Sequence, residues 1–439
     1  MAFITVLATN PGTIDVVVTS AREGGSTMQP ERVILVGTSE KGEAARLRGL
    51  QELDELELLA AQAGGVVTYR YLQSRDNPDD GLGPGALHEI ASKVAELESF
   101  VVVSNDDLAP SRLHQWARIL GPEVRLVDRT QVILDIFAQR AQTREGRIQV
   151  ELAQLRYLLP RLRQSGRTPS RAGAGIGTRG PGETHLEMDR RKIRARIKNL
   201  EQSIVALQRE RTARRRRRQY HRVPLITLVG YTNVGKSTLF QRLTRRPQLT
   251  QDALFVTLDP SVHRILIPGT GPALLTDTVG FVQRLPHTLV AAFRATLDEV
   301  AEADVLLEVL DASVPTLDHQ QEAIEQVLGE IGAHHIKRIK VYNQWDKLPQ
   351  DTVKPQDGVA ISARYDTGFE ELYMAIAHEL TDFYLERWIF VRWDDVRTWQ
   401  RIYQDVQIVQ RQDTEDGARM LVRAPAHLIP LLTGSVEEN

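Results

Sequence analysis

The feature that most constrains this chain is an eight-residue stretch that fits the phosphate-loop pattern G-x-x-x-x-G-K-[ST] at every fixed position. Its residues are Gly230, Tyr231, Thr232, Asn233, Val234, Gly235, Lys236 and Ser237. The apolar run from Pro224 to Val229 precedes it and predicts a buried strand, and the run from Thr238 to Leu243 predicts a helix. Strand, glycine-rich turn and helix in this order are the context that the pattern requires, so we predict a polyphosphate site in an α/β fold.

The chemistry of this loop follows from its residue types. Backbone N–H groups of the turn and the positive end of the following helix point at a polyphosphate. Lys236 would place its charge between the outer two phosphates, as a catalytic group, and Ser237 offers a hydroxyl to Mg²⁺. Thr238 completes the predicted nucleotide contacts at the start of the helix. A chance match is the alternative, and the correct flanks argue against it.

Composition limits the class of protein. The 439 residues suggest roughly three domains. The chain contains no cysteine, which excludes disulfides and cysteine-bound zinc. No apolar run reaches the ~18–20 residues of a membrane helix, and the start of the chain lacks the basic leader of a signal peptide. We therefore expect a cytoplasmic protein without a membrane span, and we expect it to be a monomer.

The charge is unevenly distributed along the chain. The formal net charge is −2, yet the segment 190–222 holds only two acidic residues, Glu201 and Glu210, among many arginines and lysines. Its basic residues include Arg190, Arg191, Arg214, Arg215, Arg216, Arg217 and Arg218. Such a segment favours a polyanionic partner, nucleic acid first. A solvated helix face is the alternative interpretation.

Residues 1–130 are predicted to form an N-terminal α/β domain with a mostly parallel sheet, because short apolar strands alternate with helical runs. The predicted helix covers Leu47 to Ala63. The predicted strands are Ile4 to Leu7, Ile14 to Val18, Val33 to Val36, Val66 to Tyr71, Phe100 to Val103 and Val124 to Val127.

Residues 131–220 predict a long antiparallel helical hairpin. Leucine and isoleucine recur at steps of three and four from Ile148 to Leu162 and again from Ile193 to Leu207, which is typical of two helices closed along a coiled-coil seam. Pro160 is expected to loosen the first helix near its end. The loop at the tip, 166–183, is rich in glycine and arginine and includes Arg179, and we expect it to probe RNA. A disordered connector is the alternative.

Two further domains are expected after the hairpin. Residues 221–384 surround the phosphate loop with alternating strands and helices, which predicts a doubly wound sheet. Its strands are expected at Leu225 to Val229, His263 to Ile267, Ala273 to Leu275, Val305 to Leu310, Ile339 to Tyr342 and Val359 to Ile361. Residues 385–439 predict a small C-terminal α+β domain, with Glu415, Asp416 and Gly417 at a hairpin turn.

Residues between the phosphate loop and position 281 are candidates for binding the metal ion and the γ-phosphate. Asp277 follows an apolar strand, as a magnesium-binding aspartate should, and the N–H of Gly280 would contact the γ-phosphate. Thr257 lies between the phosphate loop and Asp277, and we expect it to close on both Mg²⁺ and the γ-phosphate. Lys236, Thr257 and Gly280 are therefore the predicted catalytic residues, and Ser237, Thr257 and Asp277 the predicted metal ligands.

A second group of motifs selects the base. Asn343 and Asp346 follow the strand that ends near 342, and the carboxylate of Asp346 can accept two hydrogen bonds from the guanine edge, which adenine cannot offer. Asn343 would brace this site. Ser362 and Ala363 follow the next strand and could present a backbone N–H to the guanine carbonyl. The order and spacing of these motifs predict a GTPase that binds GTP and GDP.

Longer motifs extend this prediction to a family. The chain resembles the translation-factor-like GTPases, and most of its length is similar to HflX, a family of ribosome-associated GTPases. The motifs that carry the resemblance are 179–191, Asp135 to Arg140 with Gln149 to Leu155, Thr257 to Pro260, and Asp277 to Phe281. The resemblance implies binding to the large ribosomal subunit and its RNA, with the hairpin loop directed toward the peptidyl-transferase region, and a role in splitting or rescuing ribosomes under stress.

Three positions depart from the family or from related GTPases. Gln344 replaces the lysine of the usual Asn-Lys-x-Asp, which predicts weaker nucleotide binding. The stretch Gly83 to Ala86 lacks the lysine of the family's Gly-x-Gly-Lys, so a second nucleotide site is not expected there. Phe281 stands where many GTPases have a glutamine that orients water, which predicts slow hydrolysis without a partner. Asn233 matches a position that helps to hold K⁺ in related GTPases.

Two other classes of function remain open from the sequence. One is an ATP-driven remodeller of RNA or ribosomes, which competition between GTP and ATP would distinguish. The other is a nucleotide-regulated binding adaptor in which turnover is incidental. A hydrolysis-dead variant that still binds nucleotide would retain the activity of an adaptor.

Overall fold

The computed structural model describes residues 2–10, 13–20, 30–162, 185–221, 223–245, 262–268, 270–278, 280–281, 300–314, 317–425 and 428–432. The described residues fall into two compact units, one up to Ile204 and one from Val205 onward. Among these residues, no helix is both long enough and apolar enough to cross a membrane.

The first unit contains two sheets. Strands β1 (Ala2–Asn10) and β2 (Thr13–Ser20) form a separate antiparallel pair. The other sheet is parallel, in the order β4-β3-β5-β6, as the alternation of strands and helices predicted. Its strands are β3 (Glu31–Glu40), β4 (Gly65–Arg75), β5 (Val101–Ser104) and β6 (Arg125–Asp128). Its helices are α1 (Glu43–Gln62), α2 (Pro84–Leu97), α3 (Pro110–Leu120) and α4 (Arg129–Arg140).

Two helices follow, α5 (Arg144–Arg161) and α6 (His185–His221). The predicted leucine and isoleucine stripes meet: Leu152 and Leu155 pack with Leu200, and isoleucines of both helices flank them. Arg196 pairs with Glu151, and Arg156 pairs with Glu201. Helix α5 ends one residue after Pro160.

The second unit is built on a six-stranded sheet in the order β12-β11-β10-β7-β9-β8, in which only β8 is antiparallel. The strands are β7 (Leu225–Gly230), β8 (Val262–Ile267), β9 (Gly271–Thr276), β10 (Val305–Asp311), β11 (Lys337–Asn343) and β12 (Gly358–Ala360). The helices are α7 (Lys236–Thr244), α8 (Leu317–Glu330) and α9 (Phe369–Glu379). Every residue of β7 and β10 is buried, which explains why their sequences are mostly apolar.

The strand order places a candidate site. Strand β7 pairs with β9 on one side and with β10 on the other, so the chain winds in opposite directions from this central strand. In open parallel sheets, ligands bind beyond the carboxyl ends of the strands at such a reversal. The phosphate loop begins at the end of β7 and therefore occupies this position.

The segment from 384 onward adds a three-stranded antiparallel sheet, with the hairpin turn where the sequence predicted it. Its strands are β13 (Tyr384–Arg392), β14 (Gln407–Asp413) and β15 (Gly417–Pro425), in the order β13-β15-β14. Its helices are α10 (Val396–Asp405) and α11 (Ile429–Leu432). Tyr384 anchors the segment within the second unit, because its hydroxyl donates to the backbone oxygen of Pro272 over 2.7 Å.

Candidate nucleotide-binding site

The phosphate loop has the geometry of a turn that wraps an anion. Gly235 closes the turn with φ +90° and is followed directly by helix α7, so the helix N-terminus faces the loop. A Cβ at this position would lie 2.3 Å from Nδ2 of Asn343. Position 235 therefore requires glycine both for its backbone angle and for the close approach of Asn343.

Lys236 is buried within its own loop. Its side chain is 6% exposed, and Nζ donates hydrogen bonds to the backbone oxygens of Gly230 (3.0 Å) and Tyr231 (2.7 Å). Burial lowers the pKa of this ammonium to about 8, and the carboxylate of Asp277 opposes that shift. A bound phosphate would favour the charged form of this lysine and raise its pKa again.

Ser237 and Asp277 form the candidate metal site. The hydroxyl of Ser237 in α7 donates to Oδ2 of Asp277 over 3.1 Å, which brings together two residues that are 40 apart in sequence. Asp277 is buried directly after β9, and its other oxygen accepts the N–H of Thr278. A serine hydroxyl and a carboxylate are oxygen ligands of the type that Mg²⁺ prefers, so the two residues fit that ion.

The segment after Asp277 is joined to the phosphate loop by backbone hydrogen bonds. Phe281 donates its N–H to Gly230 (3.0 Å) and accepts the N–H of Thr232 (2.7 Å). Its side chain is 2% exposed, so an apolar ring occupies the position after the Asp-x-x-Gly motif. A Cβ added to Gly280 would lie 2.7 Å from Cγ2 of Thr232 and 3.0 Å from Nζ of Lys236. Gly280 therefore reaches the loop only because it lacks a side chain.

Asn343 connects the phosphate loop to the segment after β12. Its Nδ2 donates to the backbone oxygen of Val234 (2.8 Å), and its Oδ1 accepts the N–H of Ala363 (2.9 Å). One buried amide thus joins the phosphate loop, the end of β11 and the segment after β12. Because Ala363 already donates to Asn343, a guanine carbonyl would have to share this N–H or take it over. The N–H of Ser362 donates to the backbone oxygen of Thr367.

Asp346 is presented to solvent by a short 3-10 turn, Trp345–Lys347, that begins directly after Gln344. The N–H of Trp345 donates to the backbone oxygen of Ile361 and fixes the turn to the end of β12. No hydrogen bond or ion pair joins the carboxylate of Asp346 to any other residue that the structure describes, so both oxygens are available to a base.

Gln344 makes a contact that sequence reasoning missed. Its Nε2 donates to the backbone oxygen of Asn233 over 3.1 Å, and Nζ of Lys347 in turn donates to its Oε1. Gln344 and Asn233 both have positive φ, +61° and +63°. The only signal in the sequence was a lysine three residues after the glutamine. A lysine is therefore coupled to this contact, although it stands at 347 and not at 344.

Several predicted residues are not placed in this site. Thr257, Arg179 and the rest of the tip loop 166–183 lie outside the described residues. Arg190 and Arg191 lie near the start of α6, in the first unit. Arg214 to Arg218 belong to the same helix, but their side chains lie outside the described part. The roles of these residues in RNA and metal binding remain predictions.

Comparison with known families covers most of the chain. Residues 50–138 match the family described as GTP-binding GTPase N-terminal, and residues 140–218 match its counterpart described as GTP-binding GTPase Middle Region. Residues 225–344 match the family described as 50S ribosome-binding GTPase. The last of these matches spans the phosphate loop, Asp277 and Asn343.

Full-length relatives give the same result. GTPase HflX of Caldanaerobacter subterraneus subsp. tengcongensis is 43% identical over 352 residues, 80% of this chain and 81% of that protein. GTPase HflX of Lacrimispora saccharolytica is 40% identical and covers 93% of this chain and 96% of that protein. GTPase HflX of Escherichia coli is 39% identical over 86% of this chain and 91% of that protein.

Proposed function

The chain belongs to the HflX family of GTPases, and from this premise we propose that it works on the large ribosomal subunit and splits or rescues ribosomes. It binds and hydrolyses GTP. Hydrolysis is expected to be slow in the isolated protein and to accelerate on the subunit. The family described as 50S ribosome-binding GTPase, matched by residues 225–344, supports this partner.

The observation that carries the proposal is the convergence of Lys236, Ser237 and Asp277 at the end of β7. Entry of a triphosphate would replace the carbonyls that now accept from Lys236 with phosphate oxygens. The backbone N–H groups of the loop and of α7 would bind the remaining charge. Ser237 and Asp277, with Thr257, would hold Mg²⁺, which when bound neutralises charge that develops on the phosphates.

Hydrolysis then depends on positioning. Gly280 would donate its N–H to the γ-phosphate from a segment that is already hydrogen-bonded to the loop through Phe281. The buried ring of Phe281 has no group that orients a water molecule. We therefore expect the attacking water to be ordered by a group that the ribosome supplies, which makes turnover partner-dependent. Asn233 is proposed to support K⁺ near the β- and γ-phosphates, which rates in KCl and NaCl would test.

The γ-phosphate would also control binding to the subunit. It would order the segments around Thr257 and Gly280, and it is lost on hydrolysis. The GTP and GDP states would therefore differ in the segments that contact the large subunit. The basic residues of α6 and of the tip loop would contact ribosomal RNA. We expect replacement of Arg214 to Arg218 by glutamine to weaken binding and to reduce its salt dependence.

The test combines sedimentation with turnover. Purified protein is sedimented with large subunits in GDP and in a non-hydrolysable GTP analogue, and GTP turnover is measured with and without subunits. We expect stronger co-sedimentation with the analogue and a turnover that rises at least tenfold with subunits. Lys236→Met should abolish the turnover. Equal sedimentation in both nucleotide states, or equal turnover with and without subunits, would contradict the proposal.

A further inference from the structure

The three-stranded sheet β13-β15-β14 has its helices on one face only. Ile389, Met420 and Val422 project to that face and pack with Ile402 of α10 and Leu432 of α11. Side chains of a strand alternate between faces, so the residues between these project to the other face. Neither α10 nor α11 covers that second face, which we call the open face, and α9 borders it only at the end that carries Glu386 and Arg423.

The open face is defined by its register. Trp388 of β13 lies opposite Leu421 of β15, and Phe390 lies opposite Arg419. In β14, Gln410 lies opposite Leu421 and Gln412 opposite Arg419. The open face therefore consists of Glu386, Trp388, Phe390, Gln410, Gln412, Arg419, Leu421 and Arg423. Trp388 is 39% exposed, and the guanidinium of Arg419 lies 5.2 Å from the centre of its ring.

Charge on and beside this face is unbalanced in favour of an anion. Arg419 is exposed and has no carboxylate partner among the residues that the structure describes. Glu386, on the same face, is paired with Arg423, so its charge is already neutralised. An exposed indole with an adjacent free guanidinium is the combination that binds single-stranded nucleic acid, by base stacking and a phosphate contact.

We propose that the open face binds single-stranded RNA, with a base stacked on Trp388 and a phosphate bound by Arg419. The amides of Gln410 and Gln412 donate and accept hydrogen bonds at base edges. An apolar protein partner fits less well, because polar side chains separate the few apolar ones. Beyond Glu386 and Arg423 lies a cavity of about 870 Å³ that is also lined by Tyr373 and Met374 of α9, with room for a flanking nucleotide.

The test measures binding of a fluorescein-labelled hexauridylate to the full chain by fluorescence anisotropy. All variants carry glutamine at Arg214 to Arg218, which removes the main contribution of the basic helix α6. We expect Trp388→Ala to weaken binding about tenfold, Trp388→Phe to retain most of it, and Arg419→Gln to weaken it about threefold.

Trp393→Ala is the matched control. Trp393 is 43% exposed, but it stacks on Trp399 of α10 with ring centres 5.3 Å apart and so lies on the helical side of the sheet. The Trp393→Ala variant should bind the oligonucleotide with the affinity of the parent. Equal affinity of Trp388→Ala and the parent, or an equal loss in Trp393→Ala, would overturn the proposal.

Folding and ribosome binding are tested separately. GTP turnover and far-ultraviolet circular dichroism should be the same in all variants. If Trp388→Ala fails these checks, Arg419→Gln decides, and an unchanged affinity in that variant overturns the proposal. The oligonucleotide assay uses no ribosomes, so the open face can bind RNA whether or not the chain associates with the large subunit.

Discussion

The side chain of Gln344 donates a hydrogen bond to the backbone oxygen of Asn233, over 3.1 Å. This contact joins the segment after β11 to the phosphate loop at the position where related GTPases have a lysine. Lys347 donates to the same glutamine and so brings a positive charge near the contact. The departure from Asn-Lys-x-Asp therefore changes the donor, but it preserves the link between the two loops.

Removal of this link should weaken nucleotide binding without changing the base preference. A net hydrogen bond contributes about 0.5–1.5 kcal/mol, so Gln344→Ala is expected to weaken GTP and GDP binding about two- to tenfold. Gln344→Lys should bind more tightly than the parent, because a charged donor makes a stronger hydrogen bond. Titration calorimetry measures both. Lys354→Ala is the control, since Lys354 pairs with Glu371; an equal loss there would refute the specific role of Gln344.

Asp346 should decide between guanine and adenine. Two hydrogen bonds to a carboxylate at about 1.5–3 kcal/mol each predict that Asp346→Asn weakens GTP binding roughly 10²- to 10⁴-fold. ATP binding should hardly change, because adenine offers no such donors. Asp351→Asn, in an exposed position a few residues later, should behave as the parent. If the Asp346→Asn protein keeps the parent's ratio of GTP to ATP affinity, Asp346 does not select guanine.

Gly280→Ala should weaken the binding of GTP more than the binding of GDP. The added methyl group would lie within 3.0 Å of both Thr232 and Lys236, so the segment must move away from the γ-phosphate position. We expect a loss of at least tenfold in turnover and in GTP affinity, with a smaller effect on GDP. In Gly329→Ala the new Cβ meets no atom within 4 Å, and turnover should not change. Fluorescent-nucleotide titration and phosphate release measure these effects.

Lys236 should couple nucleotide binding to proton uptake. Its pKa is lowered from 10.5 to about 8 by burial, so the folded chain binds fewer protons than the unfolded chain between these pH values. The cost of burying this charge is therefore full below pH 8 and is relieved as pH rises toward 10.5. Phosphates favour the charged form, and GDP binding at pH 8 should take up about half a proton.

Calorimetry in two buffers of different ionisation enthalpy measures this uptake. It should decline toward pH 6.5, where the lysine is already protonated. Lys236→Met should show none in the affinity range that remains measurable. Binding enthalpies that are the same in both buffers at pH 8 would show that Lys236 does not titrate there.

Much of the secondary structure was predictable because its signals are local. The spacing of leucine and isoleucine in α5 and α6 indicates which faces of the helices pack, and the contacts of Leu152 and Leu155 with Leu200 follow from it. The mostly apolar sequences of β7 and β10 indicate that both strands are covered on both faces. The direction of a single side chain, such as the open-face position of Trp388, depends on strand register and could not be read in this way.

The sequence by itself determined the phosphate loop, the positions of the following strands along the chain, and the family. Each of these depends on residue types and their spacing. Only the tertiary structure decided that Asn343 joins the phosphate loop to the segment after β12, that Lys347 acts through Gln344, and that Lys236 is buried enough to lower its pKa. These properties depend on distances between segments more than 100 residues apart, or on exclusion of water, and neither is set by neighbours along the chain.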